Sequence, residues 1–278
     1  MAPRSTPSAP TKVTDTQASG PGVAGTVWIG TSWKMTKTLD DARRYIHGLA
    51  DYLTRTPLPH VQPFVIPSFT AVATVRDELP SEAPVLLGVQ NAHWEDDGAW
   101  TGEVSVPQAA DAGARIVEIG HSERREHFGE TVETTRLKVA AVLRHGLIPL
   151  LCIGESAEIK RAGDTSSFIL EQARGALDGV TDEQLGQVLI AYEPIWAIGD
   201  TGRAATVEEL RSPFEDLGRE FGDRTAGLLY GGSVNPDNAH DLLGIDEVSG
   251  LFVGRAAWEL PGYQRLLEIA AAHPKATR

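Results

Sequence analysis

Eight short apolar, β-branched runs, separated by longer segments with helical periodicity, constrain this chain more than any other feature. The runs are Val27–Trp33, Val61–Ile66, Val85–Asn91, Ile116–Ile119, Ile148–Ile153, Val188–Tyr192, Leu228–Tyr230 and Leu251–Val253. Between them, Leu39–Thr54 repeats Leu39, Ala42, Tyr45 or Ile46, and Leu49 at helical spacing. Val132–Arg144 carries a stripe through Leu137, Ala140 and Val142, and a last helix lies near Tyr263–Ala271. Strands alternating with helices predict β-α units around a parallel sheet. No Pro/Gly-rich linker interrupts residues 26 to 271, and eight such units in about 250 residues match the usual (β/α)₈ barrel, a single α/β domain. A doubly wound open sheet is the alternative. Against it, no Gly-x-Gly-x-x-Gly follows the first run, which ends in Ser32-Trp33-Lys34.

Composition narrows the function. Of residues 1–25, eighteen are Ala, Pro, Ser, Thr or Gly. That stretch reads as a disordered polar extension without the apolar core of an export signal, which leaves residues 26–278 for the barrel. Lys+Arg 25 against Asp+Glu 38 gives a net charge of -13, and no basic block stands out, which argues against a nucleic-acid partner. No apolar stretch is long enough to span a membrane. The single cysteine, Cys152, fits a reducing, cytoplasmic setting and reads as a core residue. The eight histidines show neither His-x-His nor His-Glu-x-x-His spacing, so no metal is expected. No cofactor motif and no Gly-x-Ser-x-Gly elbow are present either.

In a parallel barrel the reacting groups gather at the C-terminal ends of the strands. There the sequence places Lys34 after the first run, His121 after the fourth, Glu193 after the sixth, Gly231-Gly232-Ser233 after the seventh and Gly254 after the eighth. A carboxylate can remove a carbon-bound proton, an imidazole can donate to the adjacent carbonyl oxygen, and a lysine can offset the enediolate charge. Glycine-flanked amides can hold a phosphate. Taken singly, Lys34 would be a surface lysine, His121 a helix cap, and Gly231-Gly232 an ordinary turn. Glu193 is harder to dismiss. It follows Val188–Tyr192 and precedes Pro194-Ile195-Trp196, apolar surroundings that favour a raised pKa over a plain salt-bridged acid.

Six stretches carry a specific resemblance. They are Trp33-Lys34-Met35, Thr101-Gly102-Glu103, Gly120-His121-Ser122-Glu123-Arg124-Arg125, Leu151-Cys152-Ile153-Gly154-Glu155, Ala191-Tyr192-Glu193-Pro194-Ile195-Trp196-Ala197-Ile198-Gly199 and Tyr230-Gly231-Gly232-Ser233-Val234. Together they resemble the triosephosphate isomerase family over residues 27 to 260, and so imply a TIM barrel. The resemblance implies Glu193 as base, a neutral His121 polarising the carbonyl, Lys34 offsetting charge, and Glu123 as a supporting acid. It also implies a mobile lid from Pro194 to about Ala205 and a phosphate grip from Gly199, Ser233, Gly254 and the Arg255 amide, with Gly231 and Gly232 nearby. Ile198 and Phe252 would press on Glu193. The segment Gln90–Glu103 resembles the family's dimerisation loop, so a homodimer acting on a phosphorylated sugar is implied.

Four departures stand out. Ser32 and Thr36 replace expected asparagines, the lid from Gly199 to Ala205 is one residue longer, and Gly254-Arg255 replaces a Gly-Gly pair. With the catalytic trio intact, these changes suggest the same chemistry on another sugar phosphate. Ile29–Met35 together with Gly254–Trp258 looks like a branch of the family that acts on four-carbon erythrulose phosphates, where Ser32 would free space for an extra hydroxymethyl group. Ordinary triosephosphate isomerisation and a non-catalytic sugar-phosphate-binding barrel are the other functions weighed.

Overall fold

The computed structural model describes residues 25–199 and 202–277. Eight strands, β1 (Val27–Ser32), β2 (Val61–Ile66), β3 (Leu86–Val89), β4 (Ile116–Ile119), β5 (Ile148–Ile153), β6 (Leu189–Tyr192), β7 (Gly227–Gly232) and β8 (Gly250–Val253), follow one another round a closed barrel. Every neighbouring pair is parallel, including β8 with β1, so the sheet has no open edge. The open-sheet alternative is thereby excluded.

Alternation along the strands sorts side chains into two cores. Trp28, Phe64, Ile66, Ile116, Leu150, Cys152, Leu189, Ala191, Leu229 and Phe252 fill the barrel interior. Val27, Ile29, Val65, Val117, Ile119 and Ile190 point outward against the helices. This double coverage explains why the strand runs lack a polar face. Gly30 is needed inside, since a Cβ there would lie 1.8 Å from the Phe64 ring.

The helices start at sequence-encoded caps. Thr38, Ser105, Thr131 and Thr206 each form a reciprocal capping box with the residue three positions on. The expected helix Val132–Arg144 is observed with those bounds, while the first runs Leu39–Arg55 and the last Leu260–Ala272.

One expectation is corrected. Gly231 and Gly232 are the last residues of β7, not a turn after it, because their backbones continue the ladder to Phe252 and Val253. The expected extension over residues 1–25 lies, apart from Gly25, outside the described residues. Among the described residues no helix is long and apolar enough to cross a membrane.

Candidate active site

The period-two alternation that fills the barrel continues to its mouth and delivers the polar groups there. In β1 the interior position of Trp28 leads, two residues at a time, through Gly30 to Ser32 and then Lys34. In β6 Leu189 and Ala191 lead to Glu193, and in β8 Phe252 leads to Gly254. Lys34 is the one non-glycine residue with positive φ among the described residues, at 51°. That left-handed backbone is unfavourable for a residue with a Cβ, and such conformations gather at functional sites. Gln90 Nε2 donates to the Lys34 carbonyl at 2.9 Å and so helps to hold the turn. The Lys34 ammonium lies 2.5 Å from Glu123 Oε1.

His121 caps the helix Ser122–Phe128. The Glu123 backbone N–H donates to its Nδ1 at 3.1 Å, which puts the proton of the neutral ring on Nε2. Nε2 faces Glu193 Oε2 at 3.7 Å. A buried network fixes this turn from behind: Glu130 accepts from the Gly120 N–H at 2.8 Å, from Arg124 at 2.8 Å and from Lys138 at 2.7 Å. Arg125 donates to the Gly120 carbonyl at 2.7 Å.

Glu193 is 5% exposed and its Oε2 has no hydrogen-bond partner. Burial pushes its carboxyl above the ordinary range, against the pull of His121, Lys34 and a Cys152 hydrogen bond. Two glycines let it sit there. A Cβ at Gly154 would lie 2.0 Å from the Glu193 carbonyl oxygen, and one at Gly231 would lie 2.7 Å from its side chain. Burial also favours the neutral form of Glu123, but the Lys34 hydrogen bond and the charges of His121 and Lys34 outweigh it and bring the carboxyl below its ordinary value.

Below the mouth, Ser32 Oγ donates to Glu118 Oε2 at 2.9 Å. Glu118, on β4, is 3% exposed, and burial raises its carboxyl to about 7, with Glu193 adding to the rise and His121 opposing it.

A cavity of about 520 Å³ opens over these groups, lined by Lys34, Glu123, Gly199, Gly232, Ser233, Gly254 and Arg255 among others. A recess of about 40 Å³ shares Lys34, Ile198, Gly232 and Gly254 with it and reaches Ser32, His121, Glu193 and Phe252. A Cβ at Gly254 would meet no protein atom within 4 Å, so the space that this glycine leaves belongs to the cavity. The Arg255 guanidinium lies at the cavity rim. It donates to the Gly199 carbonyl at 2.8 Å, joining the residue after β8 to the 194–205 segment. That segment is further tied down by Trp196 Nε1 donating to Glu155 at 2.7 Å and Ser233 Oγ donating to the Ala197 carbonyl at 2.8 Å. Its residues 200 and 201 lie outside the described residues.

The structure thus brings together Ser32, Lys34, His121, Glu123, Glu193, Gly199, Gly232, Ser233, Gly254 and Arg255, and sets Ile198 and Phe252 in the recess beside Glu193. Gly231 lines neither space, and a Cβ on it would point at the Glu193 carboxylate. Glu118, Gly154 and Glu130 escape the sequence reading. Glu118 alone carried a signal, as a charged residue inside the otherwise apolar run Ile116–Ile119. Among the described residues, no group of three or more His, Cys, Asp or Glu could hold a metal ion.

A parallel barrel whose mouth holds a buried carboxyl, an Nε2-protonated imidazole and an ammonium defines a class, that of barrel enzymes built for proton transfer next to a carbonyl. The chain belongs to the triosephosphate isomerase family, whose pattern matches residues 27–270, and it is an isomerase. It is similar to a protein of Mycolicibacterium smegmatis named L-erythrulose-1-phosphate isomerase, 75% identical over 253 residues, covering 91% of this chain and 96% of that one. Proteins of the same name from Rhizobium etli (48% identical; 88% and 93% covered) and Brucella abortus (46% identical; 90% and 98% covered) are also similar.

Proposed function

We propose that this isomerase interconverts L-erythrulose 1-phosphate and D-erythrulose 4-phosphate through an enediol. The carrying observation is the unpartnered, buried Glu193 Oε2 lying 3.7 Å from His121 Nε2 at one recess. The similarity to proteins named for this substrate supports its choice over a triose phosphate.

In this reading Glu193 removes the proton from C3 while the His121 Nε2–H donates to the carbonyl oxygen at C2. Glu193 then returns the proton to C2 while His121 Nε2 takes the proton of the C3 hydroxyl as the carbonyl forms there, so the carbonyl moves between the two central carbons and both groups end as they began. Burial serves the base, since a carboxyl pushed up in pKa is a stronger proton acceptor once ionised. Lys34 exchanges Glu123 for the substrate and offsets the charge that develops, and Glu123 acts as a supporting acid. Ser233, Gly254, the Arg255 amide and Gly199 at the wider cavity take the phosphate, with Gly232 allowing close approach.

The protein works as a homodimer in the cytoplasm, with Gln90–Glu103 as the dimer loop. In support, Met35 is 96% and Trp100 49% exposed, large apolar surfaces that a second copy would cover, and Cys152 is a buried free thiol. Steady-state assays on both substrates test the function. The expected result is a higher kcat/KM for L-erythrulose 1-phosphate than for glyceraldehyde 3-phosphate, and the reverse order makes the protein an ordinary triosephosphate isomerase. Glu193→Asp retracts the base by one methylene and should lower kcat about a hundredfold with little change in KM. Unchanged turnover would mean that Glu193 is not the base.

A further inference from the structure

Glu118 is a buried carboxyl that the proton-transfer steps leave unused, and it stands in the barrel interior next to Ser32, one of the four departures from the family pattern. We infer that Glu118 is a specificity-determining positioning residue: it holds the Ser32 hydroxyl so that its lone pairs face the recess and accept a hydrogen bond from the substrate's extra hydroxymethyl group. The inference rests on the four-carbon reading above.

Three observations carry it. Ser32 lines the recess together with His121 and Glu193, whereas Glu118 does not, so Ser32 is the member that a substrate can touch. The Ser32 hydroxyl donates its single proton to Glu118 at 2.9 Å, which leaves only acceptor capacity toward the recess. A lone carboxyl in an apolar strand, 3% exposed, is costly to keep, and the described hydrogen bond to its side chain comes from Ser32. The hydroxymethyl group is what distinguishes the four-carbon substrate from a triose phosphate, and its hydroxyl needs an acceptor once it is desolvated. Groups facing Glu118 are Ser32 and Lys34 from the β1 side, His121 after β4, Cys152 on β5 and Glu193 after β6. As pH rises through about 7, Glu118 ionises and Ser32 becomes fixed as its donor.

The test is the ratio of kcat/KM for L-erythrulose 1-phosphate to that for glyceraldehyde 3-phosphate, in which pH effects common to both substrates cancel. Wild type should show a ratio that increases between pH 6 and 8.5. Glu118→Leu should lower it about tenfold, the loss of one hydrogen bond. Glu118→Gln should restore part of it and leave it flat with pH. Ser32→Ala reads the pair from the other side and should lower the ratio alike, and adding Glu118→Leu to it should change the ratio no further. Equal losses on both substrates in Glu118→Leu, or a full further drop in the Ser32→Ala background, overturn the inference. Failure of the underlying reading is visible in wild type alone, as absent or inferior four-carbon turnover, and removes this inference with it. A wild type that prefers the four-carbon ketose but whose ratio ignores Glu118 overturns only the inference.

Discussion

Replacing Glu118 by Gln should make stability depend on pH in a way that isolates one buried carboxyl. Burial raises Glu118 from 4.5 in the unfolded chain to about 7 in the barrel. A carboxyl raised on folding binds its proton more tightly in the native state, so its favourable contribution is complete below pH 4.5 and is lost as pH climbs through 7. Each pKa unit is worth about 1.4 kcal/mol, so the full span is about 3 kcal/mol, of which about 2.5 kcal/mol falls between pH 5 and 8. Glutamine has the same shape and cannot ionise. Relative to wild type, Glu118→Gln should therefore gain about 2.5 kcal/mol of stability between pH 5 and pH 8, or roughly 5–10 °C in Tm for a chain of this size. Urea unfolding of both proteins at the two pH values measures it. The subtraction cancels other titrations, except for the repulsion between Glu118 and Glu193, which belongs to the effect. A difference that is the same at both pH values would refute the reasoning, because Glu118 would then not change charge across that range inside the fold.

Two further substitutions probe the mouth. Gly231→Ala introduces a Cβ 2.7 Å from the Glu193 side chain, so the carboxylate must swing away. We expect kcat to fall about a hundredfold by misplacement of the base, measured by steady-state kinetics, and wild-type kcat would show that Gly231 has no bearing on Glu193. Arg255→Ala removes a hydrogen bond to the Gly199 carbonyl, in the segment over the cavity and not in the recess. It should lower kcat/KM by the same factor, about two- to fivefold, for three- and four-carbon substrates. A selective loss on one of them would place the guanidinium on the substrate.

The barrel was legible because a strand buried on both faces leaves a continuous apolar run, and β2, β4 and β5 carry the expected bounds. The sequence predicts a shorter β7, since Gly227, Gly231 and Gly232 look like turn residues while their backbones sustain the ladder. Lys34, His121 and Glu193 are legible together because strand ends in a parallel barrel converge. Glu118 shows in the sequence only as one charge within the apolar run Ile116–Ile119, and its hydrogen bond to a residue 86 positions away leaves no local trace. Gly154 and Gly231 matter through what a Cβ would strike, which only the packed structure reveals. The Arg255 side chain, which stands where a Gly-Gly pair is expected, reaches across to a carbonyl from another loop, a contact with no trace in the sequence.

The Lys34–Glu123 ion pair also decides how substrate arrives. An approaching phosphate dianion meets a mouth whose principal ammonium is already neutralised, on a chain of net charge -13. Diffusional encounter is therefore opposed by the long-range field, and attraction begins only at contact, when the phosphate displaces Glu123 from Lys34. Salt screens the repulsion over a Debye length of about 8 Å at physiological ionic strength. Substrate capture should therefore be faster at physiological ionic strength than in dilute buffer, the opposite of an electrostatically steered enzyme.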